Sequence, residues 1–258
     1  LKAATWNVNS LRVRLDHVLE WLDHEQPEIL ALQETKLKDE DFPIQAFTER
    51  GYQSAFAGQG GYNGVALLTR SGIDEVATEI DGFADPQRRV LSASLGELRI
   101  FNLYVPNGQR IDSDKYAYKL EWLRALRDQL QAELRRHRQI LVVGDFNIAP
   151  GDADVYDPQA WEGQVLCSAP ERAALQDILA LGFKDVFRLF DQPEGSYSWW
   201  DYRAAAFRRN RGLRIDLILA SEALGPKCRS CKIDREPRGW DRPSDHAPVV
   251  VDMDVATV

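Results

Sequence analysis

Gln139-Ile140-Leu141-Val142-Val143-Gly144-Asp145-Phe146-Asn147 is an apolar run that ends in a carboxylate and an amide. The run lacks strict alternation, which fits a strand buried on both faces. Two other runs end the same way. Ile29-Leu30-Ala31-Leu32 leads into Glu34, and Ala3-Ala4-Thr5-Trp6 leads into Asn7. Strand ends are where open α/β sheets collect ligands and catalytic groups. With Ser244-Asp245-His246 added, these ends predict one convergent site rich in hard oxygen donors. Such donors suit Mg²⁺ or Mn²⁺, and phosphate-ester hydrolysis is the usual work of such an ion.

Further strand-like runs cover 1–6, 28–33, 64–70, 90–95, 98–105, 139–144, 213–220 and 247–252. Helical periodicity covers 11–24 and 114–137, where Tyr116, Leu120, Leu123, Leu126, Leu130 and Leu134 step by three or four. Arg135, Arg136 and Arg138 crowd the end of that helix, where cations suit the macrodipole. A third helix is predicted over 170–181, ending at Gly182. Strands and helices intermix, and no Gly/Ser/Pro linker or repeat divides the chain. Candidate groups run from residue 7 to residue 246 and meet only if the whole chain, 1–258, folds as one α/β domain. Long functional loops are expected near 106–113, 151–168 and 192–212.

With 258 residues, 44% of them hydrophobic, a substantial core is available. No apolar run reaches the length of a membrane span. The opening Leu1-Lys2-Ala3-Ala4-Thr5-Trp6-Asn7 lacks the apolar core of a signal peptide, which favours the cytoplasm. Cys228 and Cys231 form a C-x-x-C, but no second pair completes a zinc set. Free thiols in a reducing compartment are expected over a redox pair. The net charge of −8 argues against a general nucleic-acid binder. Its distribution argues otherwise, because Arg203, Arg208, Arg209, Arg211 and Arg214 follow one another with no acid between them. That segment reads as a local basic patch, or else as a solvated loop. No exposed heptad argues against a monomer.

Each polar group has a chemical reading. A carboxylate at the end of a buried strand, such as Glu34, must be paired, protonated or metal-bound. Asp145 and Asn147 lie two apart, and in an extended segment they point to one side. There Asp145 deprotonates or positions a water that Asn147 orients; the alternative is an Asx turn ahead of Pro150. Asp216, isolated in an apolar strand, is a ready partner for His246. A buried aspartate fixes the imidazole tautomer and raises its pKa, leaving an imidazolium able to bind a phosphate oxygen. Tyr104 ends another strand, as a packing residue or as a phenol that binds the phosphate.

Taken together, Trp6-Asn7-Val8-Asn9-Ser10-Leu11-Arg12, Leu32-Gln33-Glu34-Thr35-Lys36, Gly64-Val65-Ala66-Leu67-Leu68, Tyr104-Val105-Pro106-Asn107, Gly144-Asp145-Phe146-Asn147 and Ser244-Asp245-His246-Ala247-Pro248 resemble the exonuclease III family of DNA repair nucleases. The resemblance runs the length of the chain. Ser198-Trp199-Trp200-Asp201-Tyr202-Arg203 and Asn210-Arg211-Gly212-Leu213-Arg214-Ile215-Asp216 are similar to the bacterial branch. The resemblance implies a four-layered α/β sandwich, two packed mixed β-sheets flanked by helices. It implies metal-dependent hydrolysis 5′ to abasic sites in duplex DNA, with 3′ exonuclease, 3′-phosphatase and 3′-phosphodiesterase activities on blocked ends. By motif, Glu34 is the principal metal ligand, helped by Asn7 and Asp245. Asp145 activates the water, Asn147 and Tyr104 hold the phosphate, and Asp216 orients His246. Arg12, Lys36, Tyr62 and Asn107 sit at positions resembling DNA contacts. Trp199 and Leu213 line a pocket for the base-free sugar, which is easier to extrude than a paired nucleotide, and Arg203 approaches the duplex. Gly163, in Trp161-Glu162-Gly163-Gln164, leaves room that a bulkier residue would take from an abasic nucleotide.

Two other functions compete. A superfamily relative acting on a small phosphate ester or lipid head group shares the metal site but lacks the tryptophan- and arginine-rich 199–214 segment. A catalytically silent DNA-binding module is expected to have lost a ligand, the base or the histidine, whereas Glu34, Asp145, Asn147, Asp216 and His246 are all present.

Overall fold

The computed structural model describes residues 1–256. Twelve strands form two sheets: β1 (Lys2–Asn7), β2 (Ile29–Gln33), β3 (Gln53–Ala57), β4 (Val65–Thr69), β5 (Asp74–Ala77), β6 (Val90–Leu95), β7 (Leu98–Tyr104), β8 (Gln139–Asp145), β9 (Phe183–Asp185), β10 (Asp216–Ser221), β11 (Cys228–Ile233) and β12 (Val249–Met253). The helices are α1 (Leu11–Glu25), α2 (Ile44–Thr48), α3 (Asp114–Glu133), α4 (Pro158–Trp161) and α5 (Ala169–Leu179).

The first sheet has the order β11-β12-β1-β2-β4-β3 and the second β5-β6-β7-β8-β10-β9. Each is mixed, with one parallel pair near its centre, β1 with β2 and β7 with β8, and antiparallel pairs outside. Alternate residues of both sheets, among them Ala3, Ile29, Leu67, Ile100, Leu141 and Ile218, meet in a buried core between them. The other face of the first sheet packs Trp6, Leu30 and Leu68 against Val18, Trp21 and Leu22 of α1. The other face of the second packs Phe101, Val142 and Leu217 against α3 and α5. The result is the expected α/β sandwich of four layers.

Eight central strands follow the apolar runs. The four strands that the runs do not reveal, β3, β5, β9 and β11, are the four sheet edges. All four are part-exposed, and β5 and β9 are short, as edges that resist further pairing are. The run at 213–220 is a strand only from Asp216. Leu213 ahead of it makes isolated bridges to Val155 and Trp199.

Register places the polar groups in rows. Tyr104 pairs with Asp145, and Asp145 with Asp216, so three polar residues lie side by side across the second sheet. Asn7 pairs with Gln33 across the first, one residue before Glu34. Gly144 makes the close pairing of β7 and β8 possible. Its φ is +141°, and a Cβ there would sit 2.0 Å from Leu103 O. Between the sheets, Asn102 Nδ2 donates to Leu32 O (3.0 Å) and Ala66 O (2.8 Å), and Gln33 Nε2 donates to Asn102 Oδ1 (2.7 Å). These bonds tie the row holding Glu34 to the row holding Asp145.

Among the described residues no helix is long and apolar enough to cross a membrane. All three cysteines are free and buried. Burial pushes the Cys167 and Cys228 thiols up to about 11, and Cys231 higher still, so none has the reactive thiolate character of a redox pair.

Candidate active site

The ends of β2 and β8 and the loop ahead of β12 bring Glu34, Asp145 and His246 together, with candidate ligand atoms all within 4.8 Å of one another. Asn7 joins the halves. Its Nδ2 donates to Glu34 Oε1 at 2.9 Å and to Asp145 Oδ2 at 2.9 Å, while its Oδ1 accepts from Asn9 N. The amide therefore offers nitrogen to the two carboxylates. Glu34 sits in a left-handed turn with φ 51°, and its Oε2 lies 3.1 Å from Lys36 Nζ. Lys36 also donates to Asn9 Oδ1 at 2.6 Å.

Asp145 is buried and accepts from Asn147 N (2.9 Å) and Asn147 Nδ2 (3.3 Å). The extended geometry expected for Asp145 and Asn147 is not what joins them. Asn147 is left-handed, φ 49°, and its backbone folds back onto Asp145 as an Asx turn. Burial pushes the Asp145 carboxyl up to about 7, helped by the charge of Asp216 and opposed by His246.

His246 Nδ1 lies 2.8 and 3.1 Å from the two oxygens of Asp216, and its Nε2 lies 3.7 Å from Asp145 Oδ2. Burial opposes the imidazolium, but the carboxylates of Asp216 and Asp145 outweigh it and raise its pKa to about 10. The ring is thus a buried cation near neutral pH, with Nδ1–H donated to Asp216. Its backbone is fixed from the first sheet: His246 N donates to Ser244 Oγ, Ser244 Oγ donates to Asn7 O, and Trp6 Nε1 donates to His246 O.

The Tyr104 phenol is held well above its ordinary pKa by burial, then by the charges of Glu34 and Asp145. It remains a neutral donor, and Arg89 lies over its ring at 4.7 Å. Asp245 is outside the cluster. It accepts from Asn9 Nδ2 (3.0 Å) and Trp199 Nε1 (2.9 Å). Burial works against its charge, but His246 and these donors outweigh burial and lower its pKa.

Around this centre, Asn107 Nδ2 donates to Asn147 Oδ1 at 3.0 Å. Asn107 and the exposed Tyr62 line one 480 Å³ cleft with Arg89 and Lys115. Arg12 is exposed beside Asp41, and the Arg203 side chain is 90% exposed. Leu213 is fully buried in an apolar cluster against which Trp199 packs, so it presents no open wall of its own. The basic patch is smaller than its sequence suggests. Arg203, Arg208, Arg209 and Arg211 are exposed, but Arg214 is 1% exposed and paired with Asp154 (2.7 Å) and Asp185 (2.6 Å). A 520 Å³ cavity between Glu97, Arg136 and Lys227 lies by Gln139, at the opposite end of β8 from Asp145.

Three groups at the site have no role assigned by the motifs. Asn9 contacts Lys36, Asp245 and Tyr202, and its position two residues after Asn7 was the available signal. Arg89 carries no signal beyond its charge. Lys119 lies three residues after Tyr116 on the buried stripe of α3, where a charge is out of place.

The donor set fits a hard divalent cation. Two carboxylates from different sheets converge, and the Lys36 ammonium already rests on one of them. Protonated His246 supplies charge and not a lone pair.

The sequence matches the Endonuclease/Exonuclease/phosphatase family over residues 4–246. It is 36% identical to the exodeoxyribonuclease III of Haemophilus influenzae over 265 residues, covering 96% of this chain and 98% of that protein. The fold is similar to that of the 3′ phosphatase NExo from Neisseria bound to product DNA hairpin, with TM-score 0.97, 43% identity and coverage of 99% and 100% of the two chains. It is also similar to an AP endonuclease from Archaeoglobus fulgidus, with TM-score 0.94, 40% identity and the same coverage.

Proposed function

Because this chain belongs to the endonuclease/exonuclease/phosphatase family, on its exonuclease III branch, we propose that it is a DNA repair phosphodiesterase acting on duplex DNA 5′ to abasic sites and on blocked 3′ ends. The observation that carries this reading is the convergence of Glu34, Asp145 and His246 from two sheets. The chain acts as one catalytic domain, since the cluster needs both sheets. A monomer acting in the cytoplasm goes with this reading.

Each residue has a task that its geometry supports. Asp145, with a pKa near the working pH, accepts the proton of the attacking water. His246 holds its proton and stabilises charge on a non-bridging phosphate oxygen. Asp216 sets the ring and keeps it charged. Tyr104 donates to the phosphate, as does Asn147 when its amide exchanges the longer 3.3 Å bond to Asp145 for it, and neither carries a charge that would repel it. Glu34, its carboxylate oriented by the Asn7 amide, would hold Mg²⁺ or Mn²⁺, which supplies Lewis-acid stabilisation of developing negative charge. Attack by water breaks the P–O3′ bond and leaves a 3′ hydroxyl. Trp199, seated on the buried apolar cluster, receives the base-free sugar, while Arg203 and its neighbours meet phosphates.

The similarity to NExo favours a second reading, a 3′-end-processing enzyme with little abasic endonuclease activity. Labelled duplexes carrying either a central abasic analogue or a 3′-phosphate, each with Mg²⁺ or EDTA, separate the two. Metal-dependent incision 5′ to the lesion supports the first. An intact abasic duplex with release of 3′-phosphate supports the second. Turnover of neither removes both.

A further inference from the structure

Lys119 and Glu171 form an ion pair at 2.5 Å in which both side chains are 0% exposed. Charges are taken out of water at a cost, and well-packed apolar residues often do as well or better for stability. The position of this pair therefore needs another explanation.

The Lys119 ammonium has three protons and three acceptors. One is Glu171 Oε1, and the others are the backbone carbonyls of Asn147 (2.6 Å) and Asn107 (3.1 Å). Glu171 is equally saturated. Its Oε1 also accepts from Leu166 N, and its Oε2 accepts from Ser168 N and Ser168 Oγ. Ser168 and Glu171 are the capping box of α5, and Ser168 Oγ meets Tyr116 OH of α3 at 2.6 Å. The pair thus locks the first turns of the two outer helices together.

The two carbonyls belong to the two asparagines whose side chains meet at the site. Asn107 Nδ2 donates to Asn147 Oδ1, and Asn147 Nδ2 reaches Val105 O (3.0 Å) and Asp145 Oδ2. Asn147 is left-handed, a conformation that persists when its surroundings over-determine it. Its carbonyl points away from the site to Lys119 and its amide points into the site.

Building on the phosphodiesterase reading, we propose that Lys119 and Glu171 are positioning residues: a buried clamp that grips the backbone of Asn147 and Asn107 and thereby aims their amides at the scissile phosphate. Neither touches substrate. Displacement of a reacting geometry by about 1 Å costs about 100-fold in rate, so loss of the clamp lowers kcat more than it raises KM.

The test compares wild type, Lys119→Met, and the double variant Lys119→Met with Glu171→Gln, on an abasic duplex and a 3′-phosphate duplex. Rates are taken per folded molecule, well below each melting midpoint. Lys119→Met strands a buried carboxylate and melts earliest. The double variant, with no buried charge, recovers most of that loss. Its kcat nevertheless stays about 100-fold down, with KM within about threefold of wild type, and the side-chain amide resonances of Asn107 and Asn147 move. Recovery of wild-type kcat along with the melting midpoint would show a purely structural pair and overturn the proposal. If wild type cleaves neither duplex, the phosphodiesterase reading has failed. The amide resonances then decide alone, and unchanged resonances in the double variant overturn the clamp.

Discussion

Asp216 Oδ2 lies 2.8 Å from His246 Nδ1, and both side chains are closed to solvent, at 0% and 4% exposure. The aspartate is the largest of the influences that keep the imidazole charged. Asp216→Asn retains an acceptor but removes the charge. His246 then loses its proton at lower pH, so the alkaline limb of the pH–rate profile moves toward acid. At neutral pH kcat falls about 10²- to 10⁴-fold, the range for loss of a positioned proton-bearing group. An unchanged alkaline limb would separate Asp216 from the charge on His246.

The same shift has a consequence for stability. His246 holds its proton to about pH 10 when folded, against an ordinary value of 6.5. The resulting stabilisation is complete below about 6.5 and is lost as pH rises through 10. In EDTA, wild type should therefore lose stability between pH 7 and 10, and His246→Gln should flatten that slope. Denaturant midpoints at several pH values measure both.

Of the five arginines between 203 and 214, four are exposed and available for phosphates. Replacing Arg203 with Ala should weaken binding similarly across sequences and reduce the slope of log affinity against log salt by about 0.9. Replacing Arg214 should instead loosen the chain, because it leaves the part-buried Asp185 without its partner and the buried Asp154 with Arg188 alone. Salt titrations and melting curves distinguish these effects.

Gly163 has φ +68°, and a Cβ there meets nothing within 4 Å. Gly163→His therefore fits sterically, at a backbone cost of about 1–2 kcal/mol. It should lower abasic incision relative to 3′-end removal. An unchanged ratio would remove Gly163 from any role in substrate choice.

The central strands and the candidate site were legible for one reason: a polar residue at the end of a doubly buried apolar run has little to do there except chemistry. Glu34, Asp145 and Asp216 stand out in this way. The edge strands were hidden because Gln53–Ala57 and Asp74–Ala77 bury too little to show a pattern. Arg214 was misplaced because charge in a sequence says nothing of burial, and its partners lie 60 and 29 residues away. Local spacing alone does not decide between an Asx turn at Asn147 and an extended segment. Lys119 was readable in principle, as a charge stepping in time with Tyr116 and Leu123. Its role depends on Asn147, and only the packing of α3 beside the site reveals that.

The most direct test of the catalytic centre is a single-turnover comparison of wild type and Asp145→Asn on a duplex with one abasic analogue, with DNA affinity measured in parallel. Asp145 as the acceptor of the water proton requires that incision fall about 10²- to 10⁴-fold while affinity stays within about threefold. Incision by Asp145→Asn at the wild-type rate would contradict the assignment of this buried carboxylate, and with it the reading of the cluster as the catalytic centre.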